Sequence, residues 1–244
     1  MLEIEGLTKR YDGLTAVDDL SFTVRPGEIL GLIGPNGAGK TTTLRSIAGI
    51  LPLANGTIRI CGRDLKTEPV EAKRHLAFIP DEPRLFDYLT VEEHLRFTAR
   101  IYQVADVEQR SAALLEELEL SGKLGALPGE LSRGMKQKLA IACGLLHDPK
   151  AILFDEPLTG LDPVGIRRTK DSIARRASDG ASVVVSSHLL HLVEEICHRI
   201  LVIRAGRKVA HGTLVEIKAA LPQLQADASL EEIFLHVTSL DTTS

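Results

Sequence analysis

Residues 34–42 of the chain read Gly34-Pro35-Asn36-Gly37-Ala38-Gly39-Lys40-Thr41-Thr42. The first eight match the pattern G-x-x-x-x-G-K-S/T, in which glycines let backbone N–H groups converge on phosphate oxygens. An apolar run (29–33) precedes the pattern and a helix-permissive run (42–48) follows it. The sequence therefore predicts a phosphate-binding loop between a strand and a helix N-terminus. Lys40 would reach the β- and γ-phosphates of a nucleotide, and the Thr41 hydroxyl would bind Mg²⁺.

The composition is that of a globular chain with one large domain or slightly more. It has 244 residues, 44% of them hydrophobic, and a net charge of −4, which argues against a nucleic-acid partner. The start, 1–5, is acidic where a secretory signal would be basic, and no apolar run approaches the roughly 20 residues that span a bilayer. We expect a cytosolic chain whose three cysteines, Cys61, Cys143 and Cys197, are reduced thiols.

The N-terminal part has the alternating pattern of antiparallel strands. Residues 1–9 predict an exposed-edge strand, and residues 20–25 predict a second strand. Asn55-Gly56 predicts a hairpin turn before a short strand at 57–60.

Further along, continuous apolar runs predict buried strands at 76–79, 151–154, 182–186 and 200–203. Helical segments separate the last three runs, a pattern typical of a parallel sheet covered on both faces. From about 91 to 146 the pattern is helical. One apolar stripe there consists of Ala112, Leu114, Leu115, Leu118 and Leu120.

We therefore predict an α/β domain over 1–220, with a helical insertion at about 82–148 and a C-terminal tail at 221–244. The tail places Leu230, Ile233, Phe234 and Val237 on one face of a short amphipathic helix. That helix is expected to dock on its own domain rather than to bind a partner.

Two adjacent acids follow one of the predicted buried strands. Residues 151–154 are apolar and lead into Asp155-Glu156. Ligands of open α/β sheets bind at the carboxyl ends of the strands, and neighbouring strand side chains point to opposite sides. The two acids should therefore have different tasks. One of them would suit Mg²⁺, which takes oxygen ligands, and the other would suit general-base work on a water.

With the segment Leu131-Ser132-Arg133-Gly134-Met135-Lys136-Gln137-Lys138-Leu139, these motifs resemble the ATP-binding subunit of an ATP-binding-cassette transporter, over at least 1–212. The resemblance implies a P-loop NTPase fold: a mainly parallel sheet flanked by helices, an N-terminal antiparallel β portion and an inserted helical subdomain. Residues 131–139 resemble the family signature. In this resemblance Ser132, an expected helix N-cap, would contact the γ-phosphate bound by another subunit, together with Gly134 and Met135.

The resemblance also implies roles for single residues. Asp155 would bind Mg²⁺, and Glu156 would be the general base. Tyr11 would stack on adenine, and Asp162 would couple one subunit to the other. His188, at the end of the predicted strand 182–186, would contact the γ-phosphate and orient the attacking water. His191 and His198 match no role and are expected to be solvated.

Three positions depart from the family pattern. Asp81, followed by Glu82, stands where the family usually has Gln; a carboxylate there could bind Mg²⁺ directly. Arg133 replaces a usual Gly, and Met135 replaces a usual Gln. Such changes are familiar among bacterial exporters, which places the resemblance with the ABC-2-type and drug-exporter ATPases.

The function that the resemblance implies is ATP hydrolysis coupled to membrane transport, with ATP as substrate and Mg²⁺ as cofactor. The partners would be a transmembrane permease on a separate chain and a second nucleotide-binding subunit, either identical or a paralogue. The protein would be peripheral on the inner face of the membrane. The apolar loop 85–89 is either part of the insertion's own core or a docking patch for the permease.

Three other functions compete with this interpretation. A soluble kinase or GTPase is disfavoured because no guanine-reading Asn-Lys-x-Asp segment occurs and because the segment 132–135 has no place in such an enzyme. A soluble cassette ATPase of translation or DNA repair is disfavoured, because such proteins usually have two cassettes or a long coiled coil in the insertion and this sequence shows neither. A nucleotide-gated dimerisation module that does not hydrolyse ATP is disfavoured by the presence of Glu156 and His188. The transported substrate is not readable from the sequence.

Overall fold

The structure is a computed structural model and describes residues 1–220 and 228–239. The strands of these residues are β1 (Leu2–Tyr11), β2 (Leu14–Val24), β3 (Ile29–Ile33), β4 (Asn55–Ile60), β5 (Arg63–Asp64), β6 (Leu76–Ile79), β7 (Ala151–Asp155), β8 (Ser182–Ser186), β9 (Arg199–Arg204) and β10 (Arg207–Gly212). The helices are α1 (Lys40–Ile47), α2 (Pro69–Arg74), α3 (Val91–Tyr102), α4 (Val107–Glu117), α5 (Arg133–Leu145), α6 (Pro163–Ser178), α7 (Leu190–Ile196), α8 (Leu214–Ala219) and α9 (Leu230–Ser239). Short 3-10 turns lie at Ser121–Lys123 and Pro128–Glu130.

The strands form two sheets. One is antiparallel, in the order β2-β1-β4-β5, and the other has the order β10-β9-β3-β8-β7-β6. In the larger sheet all neighbours are parallel except β10, which is antiparallel to β9. The helices α3, α4 and α5 lie in the chain between β6 and β7. The predicted fold class is therefore confirmed, as are the strands expected at 76–79, 151–154, 182–186 and 200–203.

The core lies on both faces of the larger sheet. Alternate residues of β7 show the division: Ile152 and Phe154 pack with α3, α4 and α5, whereas Leu153 packs with α1 and the antiparallel sheet. The carboxyl ends of β3, β6, β7 and β8 are consequently brought to one edge. No helix of the described residues is both long and apolar enough to cross a bilayer.

The prediction of an exposed edge strand at 1–9 was wrong. β1 lies inside its sheet, between β2 and β4, and its residues Leu2, Ile4 and Leu7 are buried. Alternation of apolar and polar residues reports that one face of a strand is covered. It does not report whether the strand has one neighbour or two.

The prediction of a hairpin turn at Asn55-Gly56 was also wrong. Both residues belong to β4, where Gly56 has a φ of 106° and a side chain would come within 2.6 Å of the Gly6 carbonyl oxygen. The tight turn lies at Cys61-Gly62, between β4 and β5, with φ values of 51° and 79°. Two positive φ angles are characteristic of a type I′ hairpin turn.

The predicted helical stripe is buried except at one end. Leu114, Leu115, Leu118 and Leu120 are buried, but Ala112 is exposed. A spacing of three residues falls about a sixth of a turn short of one helical turn, so Ala112 lies at the exposed edge of the stripe.

The C-terminal helix α9 packs on the chain's own domain. Leu230 and Ile233 are buried with Val193 of α7 and Val202 of β9, and the half-buried Phe234 packs against this group. The side chain of Val237, like residues 221–227 and 240–244, lies outside the described part of the chain.

Candidate ATP and magnesium site

The loop 34–39 connects the carboxyl end of β3 to α1 and is closely packed at two glycines. A side chain at Gly34 would come within 2.3 Å of the Ile203 carbonyl oxygen, and one at Gly39 within 2.6 Å of the Ala16 carbonyl oxygen. Gly39 also has a φ of 104°, which disfavours other residues. These contacts explain why the loop needs glycine at these two positions, and they hold the N-terminus of α1 at the edge of the sheet.

Lys40, the first residue of α1, folds back over this loop. Its ammonium group donates to the carbonyl oxygens of Gly34, at 2.7 Å, and Pro35, at 3.2 Å. Burial lowers the pKa of Lys40, while the carboxylates of Glu156 and Asp155 act in the opposite direction. The cation therefore faces both the loop and the acid pair. A phosphate oxygen would be a stronger partner for it than a neutral carbonyl.

Asp155 ends β7 and is only 2% exposed. Its Oδ1 accepts hydrogen bonds from the hydroxyl of Ser186, at 2.7 Å, and from the hydroxyl of Thr41, at 3.2 Å. Ser186 is the residue paired with Asp155 across the parallel strands β7 and β8. The pairing of β7 with β8 thus places Ser186 beside Asp155, the acid expected to bind Mg²⁺. Thr41, at the start of α1, reaches the same carboxylate.

The oxygen atoms at this point suit a magnesium ion. Thr41 and Asp155 contribute two oxygen atoms, and Asp81 offers a third. The Oδ1 atom of Asp81 is buried and, in the part of the chain that the structure describes, has no hydrogen-bond partner. Burial raises the pKa of Asp81; the nearby Arg133 opposes this shift, and the carboxylates of Asp155 and Glu82 add to it. In the described residues no three His, Cys, Asp or Glu side chains form a metal-binding group. Magnesium, however, usually takes one or two carboxylates and completes its octahedron with phosphates and waters.

Glu156 follows the end of β7 in a left-handed conformation, with a φ of 50°. Its amide donates to the Ser186 carbonyl oxygen at 3.1 Å. The sequence prediction that the two acids point apart because of strand alternation had the wrong reason, since only Asp155 is in the strand. The left-handed backbone conformation of Glu156, rather than strand alternation, sets the direction of its side chain. Such a conformation in a non-glycine residue is strained, and strain of this kind is concentrated at functional sites.

His188 contacts the Glu156 carboxylate through both its ring and its backbone. Its Nδ1 lies 2.8 Å from the Oε2 of Glu156, and its backbone N–H donates to the same oxygen at 3.3 Å. The His188 side chain is 57% exposed, whereas that of Glu156 is 16% exposed. The histidine therefore lies between the acid and the open edge of the site.

The signature residues lie at the N-terminus of α5. The Ser132 hydroxyl accepts the N–H of Met135 at 3.2 Å, so the predicted N-cap is confirmed. A side chain at Gly134 would come within 2.9 Å of the Gly160 carbonyl oxygen, so this glycine allows α5 to pack on the turn that contains Gly160. The Met135 side chain packs against the core. Ser132 is exposed, which leaves this helix end open to solvent.

The turn at Gly160, on which the N-terminus of α5 packs, leads into α6. Asp162 is the N-cap of α6, and its Oδ1 accepts the N–H of Gly165 at 2.8 Å. Arg133, the first residue of α5, places its Nη2 3.6 Å from the Oδ1 of Asp81. Contacts within one chain thus connect the signature helix to the Asp162 turn and to the end of β6.

A family model described as "ABC transporter" matches residues 17–159, which is more than half of the chain. The chain belongs to the ABC transporter family. The matched range contains the phosphate loop, the signature and the acid pair of this ABC protein.

Similar proteins agree with this assignment. The ABC-type transporter ATP-binding protein EcsA of Bacillus subtilis (strain 168) is 35% identical over 99% of this chain and 98% of its own. A Nod factor export ATP-binding protein I from Burkholderia thailandensis is 39% identical over 88% of this chain and 72% of its own. A solved structure of an ATP-binding subunit of an ABC transporter is 36% identical, with a TM-score of 0.93 over 98% of this chain and 100% of that one. This ABC protein is an ATP-hydrolysing subunit of a transporter.

The predicted adenine-stacking residue of this ABC protein, Tyr11, ends β1 and is 41% exposed. The Lys9 ammonium lies 4.8 Å from the centre of the Tyr11 ring. One face of the ring is thus next to a cation. A nucleotide base would have to use the other face or displace Lys9.

Among the residues without a predicted role, His191 is exposed, as expected. The expectation that His198 is merely solvated was incomplete, because its Nδ1 accepts the N–H of Ile29 at 3.0 Å at the start of β3. The cysteines are free thiols, as predicted. Burial raises the pKa of Cys143 to about 11 and that of Cys197 to about 12.

Sequence reasoning missed Ser186 as a site residue. It was part of a predicted strand, but its hydroxyl bonds to Asp155 and its carbonyl to Glu156. The available signal was a polar residue at the end of an otherwise apolar strand. Such a residue lies at the same edge of a parallel sheet as the acids that end the neighbouring strand.

Proposed function

We propose that this ABC ATPase binds Mg²⁺–ATP at the 34–42 loop, pairs with a second nucleotide-binding subunit and energises export through a separate permease. The observation that supports the chemistry is one continuous line of polar contacts. It runs from the Thr41 hydroxyl through Asp155 and Ser186 to Glu156 and His188. This line joins the phosphate loop to the acid that would prepare the attacking water.

The binding part of the mechanism uses the loop and the end of α1. Backbone N–H groups at the turn would surround the triphosphate, with Lys40 neutralising its charge; the proposed contact residues are Gly34, Asn36, Gly37, Ala38, Gly39, Lys40, Thr41 and Thr42. Thr41, Asp155 and Asp81 are the proposed magnesium ligands. The ion would supply charge neutralisation at the phosphates when bound.

The hydrolytic part uses Glu156 and His188. Phosphoryl transfer to water depends on positioning and on charge stabilisation rather than on covalent chemistry by the protein. The Glu156 carboxylate would accept a hydrogen bond from the water and orient it as the general base. His188, 2.8 Å from that carboxylate, would hold it in place and reach the γ-phosphate.

Pairing of two subunits is supported by the open N-terminus of α5. A helix N-terminus with unpaired N–H groups favours an anion. The N-terminus of α5 is exposed at Ser132, and Gly134 packs it on the turn that leads to Asp162. We propose that Ser132, Gly134 and Met135 contact the ATP of the other subunit, which is an identical chain or a paralogue, and that Asp162 couples the two sites.

A docking surface for the permease is supported by the loop after Asp81. Leu85 packs on the core, but Phe86 and Tyr88 are 54% and 92% exposed. The loop is held on α3, because the Phe86 N–H donates to the His94 ring at 2.9 Å. Beside it is a cleft of 530 Å³. Phe86 lines the cleft, and the more exposed Tyr88 lies two residues further along the same loop. Exposed aromatic side chains on this loop suit an apolar partner segment, which we assign to the cytosolic side of the permease.

Export is the proposed direction, because one similar protein is named for Nod factor export. The proposed organisation is a nucleotide-binding domain over 1–220, with its helical insertion at about 82–148 and a tail at 221–244. The protein would be cytoplasmic and peripheral on the inner face of the membrane, and the proposal includes no nucleic-acid partner.

The experiment compares two variants in cells that also express a candidate permease, namely a membrane protein from a reading frame that neighbours this chain's own. The double variant Phe86→Ser with Tyr88→Ser should lose co-purification with that membrane protein in detergent. It should keep the ATPase rate of the isolated chain. Ile101→Ser is the matched control, because Ile101 is 60% exposed on α3 but does not line the cleft.

The control should bind the membrane protein like the wild type. If the wild-type chain hydrolyses ATP but binds no membrane protein, the alternative of an ABC-type ATPase not coupled to transport is supported. If it binds ATP without hydrolysing it, the alternative of a nucleotide-gated dimerisation module is supported.

A further inference from the structure

Two of the departures from the family pattern contact each other. Arg133 Nη2 lies 3.6 Å from Asp81 Oδ1, so the replacement in the signature faces the replacement at the end of β6. A second contact joins the same two elements, since the Gln137 amide of α5 donates to the Pro80 carbonyl oxygen at 3.2 Å. The ion pair therefore lies between the helix proposed to contact one ATP and the carboxylate proposed to serve the other.

The position of Arg133 requires an anion. It is the first residue of α5, where the helix dipole is positive, and the first turn of α5 contains no acidic residue. A cation at a helix N-terminus is unfavourable unless a negative group is close to it. In this structure Asp81 is that negative group. In a closed pair of subunits, a γ-phosphate at the α5 N-terminus would be a second anion available to the same guanidinium.

The position of Asp81 requires a cation. Its Oδ1 is buried and has no hydrogen bond within the described part of the chain. Burial raises the pKa of Asp81, and the carboxylates of Asp155 and Glu82 raise it further. Arg133 opposes their effect. Magnesium beside Asp155 would do the same and would contact the carboxylate directly. Asp81 thus has two alternative cationic partners, one before and one after nucleotide binding.

Arg133 also contacts the turn before Asp162. A side chain at Gly160 would come within 3.1 Å of the Arg133 Cδ, so the arginine stem lies across this turn. Movement of the guanidinium away from Asp81 would change that contact. The exchange is therefore connected to the proposed dimer-coupling residue as well as to the phosphate.

We propose that the Asp81 carboxylate exchanges Arg133 for Mg²⁺ when ATP binds, and that the freed Arg133 guanidinium binds the γ-phosphate held by the other subunit. This inference rests on the proposed function. Arg133 would then respond to the nucleotide bound by its own subunit and would bind the nucleotide held by the other subunit. Loading of one site would thereby prepare the neighbouring site for closure.

The experiment measures the dimer dissociation constant of the full chain by sedimentation velocity, with ATP in EDTA and with Mg²⁺–ATP. All variants are made in a Glu156→Gln background so that ATP persists. Arg133→Gln should weaken the Mg²⁺–ATP dimer about 100-fold, because each of the two symmetric contacts is a charge-assisted hydrogen bond that contributes about tenfold. Asp81→Asn should strengthen the dimer in EDTA, because Arg133 is then free without Mg²⁺. The double variant should match Arg133→Gln.

Arg96→Gln is the matched control. Arg96 forms an exposed ion pair with Glu92 at 2.9 Å within α3, away from both proposed contacts, so its loss should leave both dissociation constants unchanged. Thermal unfolding of each variant verifies that it is folded. The opposite signs expected for Asp81→Asn and Arg133→Gln distinguish an exchange from a structural ion pair, whose loss through either partner would act in the same direction.

The proposal is overturned if Asp81→Asn weakens the EDTA dimer or leaves it unchanged, or if Arg133→Gln leaves the Mg²⁺–ATP dimer unchanged. Absence of a Mg²⁺–ATP dimer in the Glu156→Gln parent would overturn the proposed pairing of subunits together with this exchange. A parent that dimerises while the variants show no opposite effects would overturn the exchange alone.

Discussion

Ser186→Ala removes one hydroxyl from the centre of the site and should be costly. The hydroxyl donates to the buried Asp155 carboxylate at 2.7 Å and accepts the Glu156 N–H at 3.2 Å. After the substitution, the side-chain bond that Asp155 keeps among the described residues is the longer one from Thr41, at 3.2 Å. The Glu156 N–H keeps the Ser186 carbonyl oxygen, so the main loss is at the carboxylate.

The size of the effect follows from the charge of that acceptor. A hydrogen bond to a charged group contributes about 1.5–3 kcal/mol, and we place the bond from Ser186 to the Asp155 carboxylate near the middle of that range because Thr41 remains as a second donor. We expect the free energy of unfolding to fall by about 2 kcal/mol. For a domain of this size such a loss lowers Tm by roughly 4–8 °C. The ATPase rate should fall as well, because Asp155 is then less firmly oriented.

The assay is urea unfolding of the nucleotide-free protein, with Ser182→Ala as the matched control. Ser182 lies at the other end of β8 and is equally buried, but its hydroxyl has no hydrogen-bond partner among residues 1–220 and 228–239. Its removal should leave stability unchanged or slightly higher, since a buried unpaired hydroxyl is itself unfavourable. Equal stability of Ser186→Ala and Ser182→Ala would refute the reasoning that the hydroxyl supports Asp155.

Three further predictions concern groups around and beyond the site. Lys40→Ala should weaken ATP binding about 10- to 150-fold by calorimetry, the value of a charge-assisted contact; unchanged affinity would remove Lys40 from the phosphate site. Asp162→Ala removes the N-cap of α6 and should cost about 1 kcal/mol in urea unfolding, and no loss would mean that the 2.8 Å cap bond contributes little. Burial lowers the pKa of His147 from 6.5 to about 4, so the unfolded chain binds this proton first and stability should fall as the pH decreases through that window. His147→Gln should flatten that part of the stability–pH curve, and an unchanged slope would show that another group causes it.

Local sequence was enough for the features whose cause is local. The phosphate loop is specified by glycines that permit its turns, and the N-cap of α5 by the hydroxyl of Ser132 three residues before the Met135 amide. Buried parallel strands were recognisable because both faces are covered, which gives unbroken apolar runs.

Features that depend on register were not predictable from the chain alone. The Asp155–Ser186 bond needs β7 and β8 to pair at one specific offset, although the two residues are 31 positions apart. Asn55 and Gly56 favour a turn locally, but in the structure they are part of β4, which pairs with β1. Gly56 allows close approach to the Gly6 backbone there. The contact between Arg133 and Asp81 likewise depends on how α5 packs against β6.

The account depends most on Glu156 as the residue that prepares water for attack on bound ATP. The direct test is single-turnover conversion of prebound radiolabelled Mg²⁺–ATP by Glu156→Gln and by the wild type, which reports the nucleotide bound and the rate of its cleavage. We predict equal amounts of bound ATP and a cleavage rate lower by about 100- to 1,000-fold in Glu156→Gln. Cleavage at the wild-type rate would contradict the account.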